Sequence, residues 1–161
     1  MNSLWKSEFK PQDIETPKAI VSSQCNYLRE LTRGNIIAKV ADYKDTYTTG
    51  LQAFKEKLES TNIQNNLGVV AGDHFMFEFF ITSVFTPNYK YRVMFFEYGI
   101  SFYPVTIVMD EAIALEQELE QKRICYTQED FIQILEVILN SKKINDVISA
   151  LMILERENKT S

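Results

Sequence analysis

Glycine and proline are scarce, 5 and 4 residues in a chain of 161, which excludes collagen-like, low-complexity and disordered architectures. The two cysteines, Cys25 and Cys125, lie far apart with no second thiol or histidine at metal-ligand spacing. They read as small core hydrophobes of a reducing compartment. No run approaches the roughly 18 uncharged apolar residues of a membrane span, and MNSLWKSEFKPQDIE lacks the apolar centre of a signal peptide. A basic surplus is also missing: 17 Lys and Arg stand against 22 Asp and Glu. Five of those acids, Asp110, Glu111, Glu116, Glu118 and Glu120, crowd into DEAIALEQELEQ, and without them the chain is neutral. Such a molecule has no field to draw nucleic acid or an anionic membrane. Nucleophile elbow, phosphate-binding glycine loop and zinc signature are all absent. The expectation is a cytoplasmic protein with no metal and no cofactor, not assigned to the enzymes.

What is present is an ordinary core-forming composition, 45% apolar and 12% aromatic. A chain of this length buries roughly 70% of the surface it exposes when unfolded, enough for one domain. Thr16-Pro17 opens a helix predicted over 17–32, with Val21, Cys25, Leu28 and Thr32 on one stripe and Gly34 as its left-handed stop. NIIAKVADY at 35–43 reads as a strand. Spacing of Leu51, Phe54 and Leu58 suggests a helix over 49–60, followed by a polar loop at 61–68. Three antiparallel strands follow, over 73–85, 90–98 and 100–109, the last an edge or broken at Pro104. An acidic, solvated helix opens at Asp110, a short strand is expected at 123–127, and Thr127 with Asp130 caps a helix. A second amphipathic helix follows a break near Asn140 and Ser141. The predicted fold is α+β: a mainly antiparallel sheet of four or five strands, with an N-terminal helix and a C-terminal helix pair on one face. Residues 16–156 form the domain between tails at 1–15 and 157–161, and Trp5 and Phe9 can dock onto the body.

HFMFEFFITSVF, residues 74–85, is apolar on both of its alternating faces. Pairing across a turn at 87–89 puts Phe75, Phe77, Phe79, Ile81 and Phe85 beside Met94, Phe96 and Tyr98, with Arg92 near the turn. That is the core face. The second face then carries His74, Met76, Glu78, Phe80, Thr82 and Val84 beside Tyr91, Val93, Phe95 and Glu97, extended by Phe102, Thr106 and Val108.

Three functional possibilities arise from that second face and its hairpin. The first is a protein-binding surface centred on Met76, Phe80, Val93 and Phe95, because exposed aromatic patches usually mark binding. Its partner is another protein or a second copy of the chain, with the acidic helix as a further surface that attracts basic partners. The second is a small acid-base site, in which Glu78 and Glu97 lie directly opposite or one diagonal apart near His74 and one carboxyl pKa rises. The third is single-stranded nucleic-acid binding through PNYKYR at 87–92, whose Tyr89, Lys90, Tyr91 and Arg92 mix aromatic and basic groups. Two basic residues make a short phosphate track.

Three stretches, TPKAIVSSQCNYLRELTRG, SFYPVTIVMDEAI and CYTQEDFIQILEVILNSKKINDVISAL, together span about half the chain. In that order they resemble small bacterial α+β proteins of uncharacterised families, in which a helix, a curved antiparallel sheet and a C-terminal helix pair make one domain. The resemblance implies that fold and a bacterial or mobile-element origin, and it carries no site residue. The functional expectation is a non-enzymatic protein-binding factor of the immunity, inhibitor or regulatory type.

Overall fold

Helix α1 (Pro17–Leu31) begins where the Thr16 hydroxyl accepts the Ala19 N–H at 3.1 Å and proline takes the first turn. Its stop is built by Gly34 at φ +82°, whose N–H reaches back to the Arg29 carbonyl at 2.8 Å. Thr32 ties this turn to the following strand, its hydroxyl donating to the Leu28 carbonyl and accepting the Ile36 N–H. A computed structural model of the chain describes residues 1–43 and 74–160. The helix predicted at 49–60 and the loop at 61–68 lie outside the described residues.

Among the described residues, five strands make one antiparallel sheet in chain order: β1 (Ile36–Asp42), β2 (Phe75–Ser83), β3 (Tyr91–Tyr98), β4 (Val105–Met109) and β5 (Lys122–Cys125). The third strand of the predicted meander is broken. Residues 99–104 form no strand, and pairing resumes only after Pro104, which has no N–H for the ladder.

One sheet face is the core. Ile36, Ala38, Phe77, Phe79, Ile81, Met94, Phe96, Tyr98, Val105, Ile107, Met109 and Cys125 are all buried there. Phe75, at the open end of β2, remains 40% exposed, and Phe85 is half-buried. The short helix α2 (Glu111–Glu116) follows β4, and α3 (Gln128–Leu139) and α4 (Lys142–Thr160) complete the chain. Thr127 caps α3 by accepting the Asp130 N–H at 3.1 Å, and the Ser141 hydroxyl accepts the Ile144 N–H at the start of α4.

The helices meet the sheet on the core face. Lys18 of α1 lies 4.9 Å from the Phe77 ring centre, Phe131 of α3 lies 6.2 Å from Phe96, and Lys143 of α4 lies 5.7 Å from Tyr91. Ile134, Leu135, Ile138, Ile144, Val147 and Leu151 fill the space between. The predicted tail at 157–161 is helical through Thr160, because α4 continues past its last apolar residues. Glu155 anchors this extension, accepting from Asn35 Nδ2 at 2.6 Å and pairing with Lys159 at 2.9 Å.

The acidic helix is shorter than its composition suggests, although its glutamates all stay exposed. Only Glu111–Glu116 is helical, with Ile113 and Ala114 buried. Asp110 makes no cap bond with its side chain and instead accepts the Tyr91 hydroxyl at 2.7 Å. Glu116 accepts the backbone N–H groups of Lys142 and Lys143 at 2.8 and 2.9 Å, so it satisfies two open donors of α4. Those amide bonds hold its carboxyl below the usual range.

Candidate functional site

The second sheet face is assembled by the register. Ile37, Lys39 and Ala41 of β1 lie opposite Thr82, Phe80 and Glu78 of β2. Met76, Glu78 and Phe80 lie opposite Glu97, Phe95 and Arg92 of β3, and Phe95 and Glu97 lie opposite Val108 and Thr106 of β4. Phe102 does not extend this face, since its ring stands edge-on to Tyr98 at 6.3 Å, against the core.

A β-bulge sets the chemistry at its centre. Phe79 pairs with Met94, but Phe80 pairs with Arg92, so Val93 is the extra residue in β3. Unbroken alternation would put Arg92 on the core face and Tyr91 and Val93 on the second face. The bulge reverses this. Tyr91 moves opposite Ile81 on the core side, and Arg92 crosses to the second face. Burial first, and then Asp110, pushes the Tyr91 hydroxyl pKa far up. Val93 is 0% exposed and cannot serve as a contact residue. Of the four expected contact residues, Met76, Phe80 and Phe95 remain half-buried on the second face.

Arg92, once transferred, completes a cluster around Glu78. One Glu78 oxygen pairs with Lys90 and the other accepts from Arg92 Nε at 3.0 Å. The cations also cover the neighbouring rings: Lys90 Nζ is 4.4 Å from the Phe80 centre, and Arg92 Cζ is 4.6 Å from Phe95. Tyr43 closes the group, its ring 4.5 Å from Phe95 and 6.0 Å from Arg92 Cζ. Cation–ring contacts of this kind each contribute about 0.5–1 kcal/mol where solvent reaches them.

Of the expected acid-base groups, the two carboxylates take the diagonal register and His74 stands away from Glu78. Glu97 faces Met76 and stands one diagonal from Glu78. His74 precedes β2 by one residue and lies four residues from Glu78, roughly 13 Å along the strand and beyond hydrogen-bond reach. Nor does the Glu78 carboxyl rise. Burial alone would push it up, but the hydrogen bonds and charges of Lys90 and Arg92 more than offset that and hold it below its ordinary value. It is a fixed carboxylate in an ion cluster. Among the described residues, no group of His, Cys, Asp and Glu is placed to hold a metal.

The 87–92 hairpin is altered by the same cluster. Lys90 and Arg92 are matched by Glu78, and the Tyr91 ring faces the core. Tyr89 alone of its two tyrosines stays exposed. Among the described residues, no helix is long and apolar enough to cross a membrane. Cys25 and Cys125 are buried free thiols, both raised in pKa by burial and Cys25 to about 11, which disfavours the reactive thiolate.

Sequence reasoning missed Lys90, Arg92 and Tyr43 as members of this site. Lys90 and Arg92 carried a visible signal, being the only basic residues in the hairpin opposite Glu78. No protein-family model, curated protein or solved structure matches the chain.

The cluster predicts a pH dependence with a definite sign. A carboxyl whose pKa is lower folded than unfolded stabilises the fold above its unfolded value, about 4.3, and loses that contribution as pH falls through the folded value. Glu78→Gln should therefore flatten the acid limb of a stability-against-pH curve measured by urea unfolding between neutral and acidic pH. At pH 7 the loss should be about 1 kcal/mol, a modest figure because solvent screens cations that are 41% and 46% exposed. An acid limb as steep as that of the unaltered chain would show that Glu78 is not the group responsible.

Proposed function

We propose that this chain is a small non-enzymatic protein-binding factor of the immunity, inhibitor or regulatory kind, acting inside the cell through its second sheet face. The observation that carries the proposal is the group of half-buried Phe80, Phe95 and Tyr43 with exposed Lys90 and Arg92 around the buried Glu78. Aromatic rings and arginine are enriched at protein interfaces, where they combine large contact area with directional hydrogen bonding. The acidic segment is the weaker alternative surface, since Glu116 and Asp110 are engaged with α4 and Tyr91.

Size-exclusion chromatography with light scattering tests the version in which the partner is a second copy. The unaltered chain should run above its 18.7 kDa monomer mass, and Phe80→Asp should return it to that mass with its circular dichroism unchanged. Monomers in both cases remove the homodimer. For a different partner, a protein retained by the immobilised chain should be lost with Phe80→Asp. Equal retention by both would place binding elsewhere.

A further inference from the structure

A groove of about 470 Å³ runs between α1 and α3, on the helical layer of the molecule. Ile20 and Tyr27 form one wall, and Ile132, Leu135 and Leu139 form the other. Both sets follow helical spacing, so the groove runs along the helices for roughly 10 Å. Tyr27 is 58% exposed and Ile132 is 42% exposed. Among the described residues, the charged ones lining it are Glu15 and Glu136, both acidic.

The N-terminal segment is rooted at this groove. The Glu15 N–H donates to Gln128 Oε1 at 3.2 Å and its carbonyl accepts from the Tyr103 hydroxyl at 3.0 Å. Upstream, Leu4, Trp5 and Phe9 are 92%, 79% and 73% exposed, an unusual concentration of large apolar groups in solvent. Trp5 and Phe9 are four residues apart and already touch, with ring centres at 6.2 Å. Lys6 and Lys10 each follow one of these rings, and Glu8 precedes Phe9. The six residues from Phe9 to Glu15 span at most about 20 Å, so the chain can fold back along the whole groove.

We propose that the α1–α3 groove receives the chain's own N-terminal segment, with Trp5 and Phe9 seated between the helices and Lys6 and Lys10 beside Glu15 and Glu136. An apolar wall matched to apolar side chains and a tether anchored at the groove's end favour this occupant, and of the segment's charges Lys6 and Lys10 complement Glu15 and Glu136 while Glu8 and Asp13 do not. The short tether gives it a high effective concentration over any free peptide. The segment then acts as a strap, and the groove is a site for an aromatic, lysine-bearing peptide that the chain occupies itself. This surface is distinct from the second sheet face.

Trp5 is the chain's one tryptophan, so its fluorescence reports the segment alone. In the unaltered chain, Trp5 emission should be blue-shifted from that of N-acetyltryptophanamide, and acrylamide quenching should be several-fold weaker. Ile132→Glu should return both to the free-indole values with circular dichroism and thermal midpoint unchanged, since Ile132 is 42% exposed. Glu136→Lys should weaken the protection without altering the apolar wall. Diluting the unaltered protein about a hundredfold should leave the signal in place, as an intramolecular contact requires. Three results overturn the proposal: free-indole behaviour in the unaltered chain, protection indifferent to Ile132→Glu, or protection lost on dilution, which assigns the groove to a second copy. Phe80→Asp should leave Trp5 unchanged, so failure of the sheet-face proposal and failure of this one give separate signatures.

Discussion

Val93→Asp should leave much of the chain unfolded at neutral pH, with an unfolding free energy from urea titration several kcal/mol below that of the unaltered protein. Val93 is 0% exposed at the bulge, and its carbonyl accepts the Asp110 N–H at 2.9 Å where β4 turns into α2. A carboxylate there loses its water, and the nearby cations Lys90 and Arg92 are already paired with Glu78. Against a total stability of about 5–15 kcal/mol for a domain, that is a large fraction. Denaturation followed by circular dichroism gives the answer directly. A Val93→Asp protein as stable as the unaltered chain would put Val93 on the surface and abolish the bulge.

Phe131→Ala should cost about 3–5 kcal/mol through lost burial and the cavity left behind. Phe131 is 0% exposed and packs on Phe96 at 6.2 Å, the contact that seats α3 on the sheet. At roughly 2–4 °C per kcal/mol for a chain of this size, the thermal midpoint should fall by about 10 °C. Scanning calorimetry or a thermal melt followed at 222 nm, the helix signal, would measure it. A fall of less than about 1 kcal/mol would mean that α3 does not rest on the aromatic face.

Both expectations come from positions that the sequence describes unequally. Phe131 begins a run with Ile134, Leu135 and Ile138 at helical spacing behind a threonine cap, and the helix lies where that spacing puts it. The same holds for α1, whose cap, stripe and glycine stop agree with one another. On β2, alternation correctly assigned Phe77, Phe79 and Ile81 to the core. Val93 could not be assigned in this way. It opens the run Val93-Met94-Phe95-Phe96, in which four apolar residues follow one another, so no polar residue marks which side faces water. A one-residue bulge inside such a run leaves no trace in the pattern, yet it reverses the faces of Tyr91 and Arg92. The ion cluster followed from that reversal and was invisible for the same reason. The far end of α4 was missed differently: ERENKT is polar and lacks a stop signal, and only the distant Asn35 shows why a helix is held there.

Strand order equal to chain order has a bearing on how this molecule is made. As residues leave a ribosome, β2 through β5 can pair one after another, each new strand meeting its neighbour as soon as it appears. The ring-rich face of Phe77, Phe79 and Phe96 forms with them, but α3 and α4 lie downstream of β5. During synthesis the sheet therefore exists before most of its cover, and its stickiest surface is bare until the final two helices arrive. Translation that stalls just after Cys125 would release a sheet with aromatic rings open to other chains.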